Sequence, residues 1–102
     1  MWLLARKSLG VDSFGINVCN LEPGEAIPEH DEQARDQEEV FLTLEGEVTL
    51  VADGEEAPLL QGTFARLDPD VTRYIRNDGE QSARVLIVSA PRTSGYEPMS
   101  WA

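Results

Sequence analysis

Gly24-Glu25-Ala26-Ile27-Pro28-Glu29-His30-Asp31-Glu32, followed after a short polar gap by Glu39-Val40-Phe41-Leu42-Thr43-Leu44-Glu45-Gly46, is the stretch on which the reading of this chain turns. Its first glycine follows Glu22-Pro23 and marks a turn. Pro28 stiffens the backbone just before the only histidine of the chain. His30 and Glu32 stand two apart on an extended segment, so their side chains leave the same side. Glu39 then opens a run rich in Val, Leu, Phe and Thr that Gly46 ends.

A second stretch runs from Gly62 to Asn77. Thr63-Phe64-Ala65-Arg66-Leu67 reads as a strand, Asp68-Pro69-Asp70 breaks it, and Val71 to Arg76 reads as another. The pattern extends outward. Residues 14–21 alternate, residues 47–52 are rich in Val, Leu and Thr, and residues 83–90 form a last apolar strand ended by Pro91. Asp53-Gly54 predicts a two-residue hairpin, because both central residues of a type I′ turn need positive φ. Asn77-Asp78-Gly79 is another turn. Asp31 to Gln37 is too short and too polar for a stable helix and reads as a loop. Short strands at this spacing, with almost no helix signal, point to a sandwich or barrel. The tail from Arg92 to Ala102 holds Pro, Gly and Ser and carries an apolar Trp101.

The chain has 102 residues, which suits one compact domain. Nineteen acidic against 8 basic residues give a net charge of -11. That surface repels phosphate backbones and argues against nucleic-acid binding. No apolar run approaches a membrane span, and Arg6-Lys7 follow rather than precede Trp2-Leu3-Leu4, which is not the order of a secretory signal. Cys19, alone, cannot form an internal disulfide, which fits a reducing cytoplasm. It sits in an apolar stretch and reads as a small buried residue rather than a nucleophile. Asp31, Asp36 and Glu38 read as loop-solvating charges.

The two stretches resemble the two motifs of the cupin superfamily, the small β-barrels. The first family motif is G-x5-H-x-H-x3,4-E-x6-G. Gly24, His30, Glu39 and Gly46 match it, Glu32 replaces the second histidine, and the gap before Glu39 is longer. The second is G-x5-P-x-G-x2-H-x3-N. Gly62 and Asn77 match it, while Asp68, Asp70 and Arg73 stand for the proline, the glycine and the third histidine. The resemblance implies an all-β double-stranded β-helix, a jelly-roll barrel, as a single domain over 1–102 with the barrel at about 14–90. It also implies that His30, Glu32, Glu39 and Arg73 converge in the barrel interior as a ligand-binding pocket.

Family members with a metal hold it with three histidines and one glutamate. Arg73 has no lone pair to donate and stays protonated. A divalent ion about 4 Å from a guanidinium meets a repulsion near ~8 kcal/mol at an effective dielectric of ~20, unless carboxylates lie equally close. The simpler arrangement has no cofactor: Arg73 occupies the metal position, forks onto Glu32 or Glu39 and offers a contact to an anion. If Arg73 swings away, His30, Glu32 and Glu39 form a set that Zn, Mn or Fe accepts.

The leading expectation is therefore a pocket for a small polar or anionic molecule without bound metal. The alternative is a metal-dependent enzyme of isomerase or dioxygenase type on the His–Glu–Glu set. A ligand-sensing module is a third reading, but the chain carries no helix-turn-helix pattern. Tyr74 and Tyr96 are the remaining acid–base candidates, and Tyr74 alternates with Arg73, so it points away from the pocket. No catalytic residue is assigned. Strands 39–44 and 85–90 are apolar on both faces, so one face needs a cover, from an N-terminal strand at Trp2–Arg6 or from a second subunit. A homodimer is expected.

Overall fold

The computed structural model describes residues 1–102. Its strands are β1 (Trp2–Leu3), β2 (Gly15–Leu21), β3 (Gln37–Glu45), β4 (Val48–Ala52), β5 (Glu55–Leu59), β6 (Phe64–Leu67), β7 (Arg73–Arg76) and β8 (Ala83–Pro91). They form a five-stranded sheet in the order β1-β2-β8-β3-β6 and a three-stranded sheet in the order β5-β4-β7. All pairings are antiparallel. This is the jelly-roll barrel that the resemblance implies, within the sandwich-or-barrel class to which the strand-and-turn cadence points. No helix is long and apolar enough to cross a membrane.

The inner faces of the two sheets meet in one core, built from residues such as Cys19, Leu21, Phe41, Leu50, Ile75 and Val85. Alternation along each strand decides which side chains take part. On β3 the inward set is Glu39, Phe41 and Thr43, all buried, while Val40 and Leu42 are half-exposed on the outer face. On β8 the inward set is Val85 and Ile87. Two polar residues therefore lie within an apolar row, and both are paired: Thr43 Oγ1 donates to the Leu59 carbonyl at 3.1 Å, and Glu39 belongs to the site below.

Turn chemistry fixes the register. Asp53 and Gly54 have φ of 49° and 80°, the pair of positive values expected for the β4–β5 hairpin. Gly46, at φ 71°, ends β3, and a Cβ there would lie 2.7 Å from the Ser82 carbonyl oxygen. Only glycine satisfies both conditions.

Three features depart from the sequence reading. β5 carries Glu55, Glu56 and Pro58, a poor strand composition, yet it pairs with β4. It lies at the edge of its sheet, where proline lacks no needed donor. The N-terminal strand stops at Leu3, and a short exposed helix follows at Ala5–Leu9, ended by Gly10 at φ 71°. A one-and-a-half-turn helix is too short to leave a periodic signal. Finally, β1 pairs edge-on with β2 and does not lie over the outer face of β3 and β8. On that face the tail residues Ser94–Tyr96 border the same groove as Val40 and Val88, while Leu42 and Leu86 stay half-exposed and Phe64 is 68% exposed.

Candidate functional site

The segment from Gly24 to His30 is not a regular strand, but its backbone binds β7. Gly24 donates to the Asn77 carbonyl, Ile27 to Ile75, and His30 and Arg73 exchange both bonds at 3.0 and 2.8 Å. The two glycine-bounded stretches of the sequence are thus laid side by side. Asn77 locks the far end: its buried amide donates to the Leu21 and Gln81 carbonyls at 2.9 and 2.8 Å. Its place in the second motif is structural.

His30, Glu32 and Glu39 come together. Their ligand atoms all lie within 4.8 Å of one another. His30 Nε2 stands 3.6 Å from Glu32 Oε1 and 3.8 Å from Glu39 Oε1. The other ring nitrogen, Nδ1, lies 2.9 Å from the Pro28 carbonyl. A carbonyl accepts only, so Nδ1 carries the proton and donates. In the neutral ring Nε2 then holds a lone pair, and it faces two carboxylates. Pro28 therefore also sets the tautomer of the histidine.

Arg73 stands behind this group. Its side chain is fully buried. Nε donates to Glu39 Oε1 at 3.1 Å, and one terminal nitrogen lies 3.1 Å from the same oxygen but off the hydrogen-bond line, without another partner. The other terminal nitrogen donates to the carbonyls of Asp68, at 3.2 Å, and Val71. The Asp68-Pro69-Asp70 turn, where the second motif departs from the family pattern, thus accommodates the guanidinium. Of the two expected partners Arg73 takes Glu39. It does not border the cavity and, fully buried, offers no anion contact there.

The cavity measures about 310 Å³. Its polar wall is His30, Glu32, Glu39, Asn17 and Ser89, and its apolar wall is Trp2, Ile27, Phe41 and Ile87. Burial pushes the Glu39 carboxyl above the usual range, against the opposing pull of Arg73, and the nearby Glu32 charge adds to the rise. Tyr74 lies away from this cavity, as its alternation with Arg73 predicts, and Tyr96 borders a different surface groove. Burial also pushes the Cys19 thiol up to about 11, which fits a structural role. Sequence reasoning missed Trp2, Asn17 and Ser89 as cavity residues. Asn17, Ile87, Phe41 and Ala65 share one inward row across four strands, a relationship that only strand order reveals.

A jelly-roll barrel of two antiparallel sheets with a histidine–carboxylate cluster at its cavity defines the class of protein. The chain belongs to the cupin family: the Cupin domain model matches residues 17–89. It is 31% identical to the TT1209 protein from Thermus thermophilus, with a TM-score of 0.71 over 76% of this chain and 72% of that one. It is 28% identical to a sugar phosphate isomerase of the cupin superfamily from Silicibacter pomeroyi, with a TM-score of 0.79 over 87% of this chain and 57% of that one. It is also 29% identical, over 89 residues, to the polyketide synthase CurC of Streptomyces cyaneus. The match takes in 87% of this chain and 56% of CurC, so the chain spans little more than half of that relative's length.

Whether a metal ion fits is decided by the donor set. Imidazole nitrogen and two carboxylate oxygens suit Zn, Mn or Fe. With Nδ1 bonded to the Pro28 carbonyl, Nε2 is the ring nitrogen turned into the cluster, and the only cation nearby, Arg73, contacts Glu39 from the buried side. Three converging lone-pair donors with one backing cation leave room for positive charge on the cavity side. The residues present fit a divalent ion.

Proposed function

We propose that this cupin binds a small polar molecule in its barrel cavity, and that His30, Glu32 and Glu39 hold a divalent cation there. The carrying observation is the bond of His30 Nδ1 to the Pro28 carbonyl, which presents Nε2 to two carboxylates at 3.6 and 3.8 Å. Arg73 offsets one of the two carboxylate charges, and a cation on the cavity side offsets the other. When bound, the ion supplies Lewis acidity that polarises a carbonyl or hydroxyl oxygen of the ligand. The chain's own residues do the rest. Arg73 holds Glu39 in place and leaves part of its charge for the cavity. Pro28 holds the imidazole. Trp2, Ile27, Phe41 and Ile87 exclude water from one side.

The metal-free reading draws on the same geometry: a proton on Nε2 of His30 closes the cluster in place of a metal. The likeness to the isomerase from Silicibacter pomeroyi and to CurC supports a ligand from carbohydrate or polyketide chemistry. Elemental analysis of protein purified without chelators separates the two readings. About one equivalent of a transition metal supports the cation site, and less than a tenth, unrestored by incubation with Zn, Mn or Fe salts, supports the proton.

A further inference from the structure

We propose that the N-terminal strand couples the cavity to an interface with a second copy of this chain. The copy that seats on the outer face of the five-stranded sheet holds Leu3, and through Leu3 it keeps Trp2 in the cavity wall. The proposal rests on the placement of β1 and goes beyond the cation reading, needing neither a metal nor a ligand.

The two residues of β1 face opposite ways. Trp2 pairs with Cys19, an inward residue of the core, and its indole borders the cavity. Leu3 pairs with Val18 on the outer face. From Val18 the register runs on to Leu86, Leu42 and Phe64. One apolar row therefore crosses all five strands, and its end residues, Leu3 and Phe64, are 51% and 68% exposed.

β1 is the one strand of the barrel without a buried residue. Trp2 itself is 44% exposed. The strand is held by pairing with β2, at whose end the Asn20 amide donates to the Met1 carbonyl at 2.6 Å. The helix that follows at Ala5–Leu9 buries no side chain. An edge so short, with both side chains half in water, opens at little cost. One wall of the cavity thus stands on a weakly anchored strand.

Charge says what covers the row. The outward positions of the five strands carry Arg66, Arg84, Glu38 and Glu45, two of each sign, so this face is neutral. The whole net charge of -11 lies elsewhere on the chain. Two copies repel through the rest of their surface and meet without net repulsion here. A two-fold axis parallel to β8 suits the row, because it lays each Phe64 over Leu3 of the other copy. The chain's own tail reaches only the edge of this face, where Ser94–Tyr96 border the groove with Val40 and Val88. Covering the exposed half of Leu3 shifts the docking of β1 by about three- to tenfold.

The test uses the full chain with Trp101→Phe, which leaves Trp2 as the only tryptophan. Acrylamide quenching reads Trp2, and exchange of the Asn20 amide reads the docking of β1. Both are measured with and without Leu42→Asp, at concentrations checked by light scattering. Leu42 lies three strands from β1, about 14 Å away, so its change reaches Trp2 only through the second copy. In the Leu42→Asp monomer Trp2 is expected to be more readily quenched, and the Asn20 amide to exchange about three- to tenfold faster. Dilution of the Trp101→Phe protein through its own dimer-to-monomer transition is expected to give the same two changes without touching the interface. Trp2 and Asn20 equally protected in monomer and dimer overturn the coupling. A chain that stays monomeric at every concentration with Trp2 shielded overturns the second copy as occupant and leaves the face to the tail.

Discussion

Arg73 Nε lies 3.1 Å from Glu39 Oε1, and both side chains are buried. Arg73 stands at the second-motif position where the family pattern has a histidine. It touches that glutamate from the core, which leaves the cavity side of the cluster open.

Removal of Arg73 leaves Glu39 buried without its counter-charge. The Glu39 carboxyl already titrates above its ordinary value because of burial, and Arg73→Ala raises it further. A raised folded-state pKa gives stability that is present below the unfolded value and lost as pH rises through the folded one. Arg73→Ala is therefore expected to cost about 3–5 kcal/mol at pH 8 and clearly less at pH 4, read by urea unfolding at both. A pH-independent loss contradicts the pairing.

Arg73→His offers a fourth donor in place of a cation. The variant is expected to gain more thermal stabilisation from added Zn or Mn than the wild type, compared by melting temperature at equal metal concentration. An equal response in both places Arg73 outside the influence of the site.

Gly46 and Gly62 both have positive φ, at 71° and 79°, but only Gly46 faces backbone where a Cβ would go. Gly62→Ala is expected to cost about 1 kcal/mol from backbone strain alone, and Gly46→Ala at least about twice that. Chemical denaturation of both variants checks the ratio. Equal costs refute the close approach of the β3 end to Ser82.

The thiol of Cys19, pushed up to about 11 by burial, stays protonated in the native state at pH 8. Ellman's reagent is expected to label it only on unfolding. Between pH 9 and about 11 the unfolded chain ionises first, so stability falls with a slope of up to about 1.4 kcal/mol per pH unit. Rapid labelling under native conditions contradicts its placement.

We further propose that two copies pair through the outer face of the five-stranded sheet, where Leu42, Leu86 and Phe64 share one row. Light scattering is expected to give twice 11.3 kDa. Leu42→Asp is expected to give the monomer with the circular dichroism of the wild type. A wild-type monomer at high concentration contradicts this pairing.

Much of this architecture was legible in the sequence, because it depends on local rules. Asp53-Gly54 dictates its own turn, and alternation on β3 separates Glu39 and Phe41 from Val40 and Leu42. The spacing around Gly24 and Gly62 carried the family resemblance and so brought His30, Glu32, Glu39 and Arg73 into one neighbourhood. The direction of the Arg73 side chain was not legible. It depends on the Asp68 and Val71 carbonyls, which come into reach only once the turn has closed. Trp2 was missed for a similar reason: two residues of edge strand carry no pattern, and only pairing with Cys19 turns the indole inward.

The account stands on the cluster of His30, Glu32 and Glu39, and zinc titration of chelator-stripped protein, followed by calorimetry, tests it most directly. The wild type is expected to bind one zinc ion per chain and, at a hundredfold excess over Kd, to gain on the order of 10 °C in melting temperature. His30→Ala is expected to lose this stoichiometric binding while keeping the fold. Zinc binding that survives in His30→Ala, or the absence of stoichiometric binding by the wild type, contradicts the account.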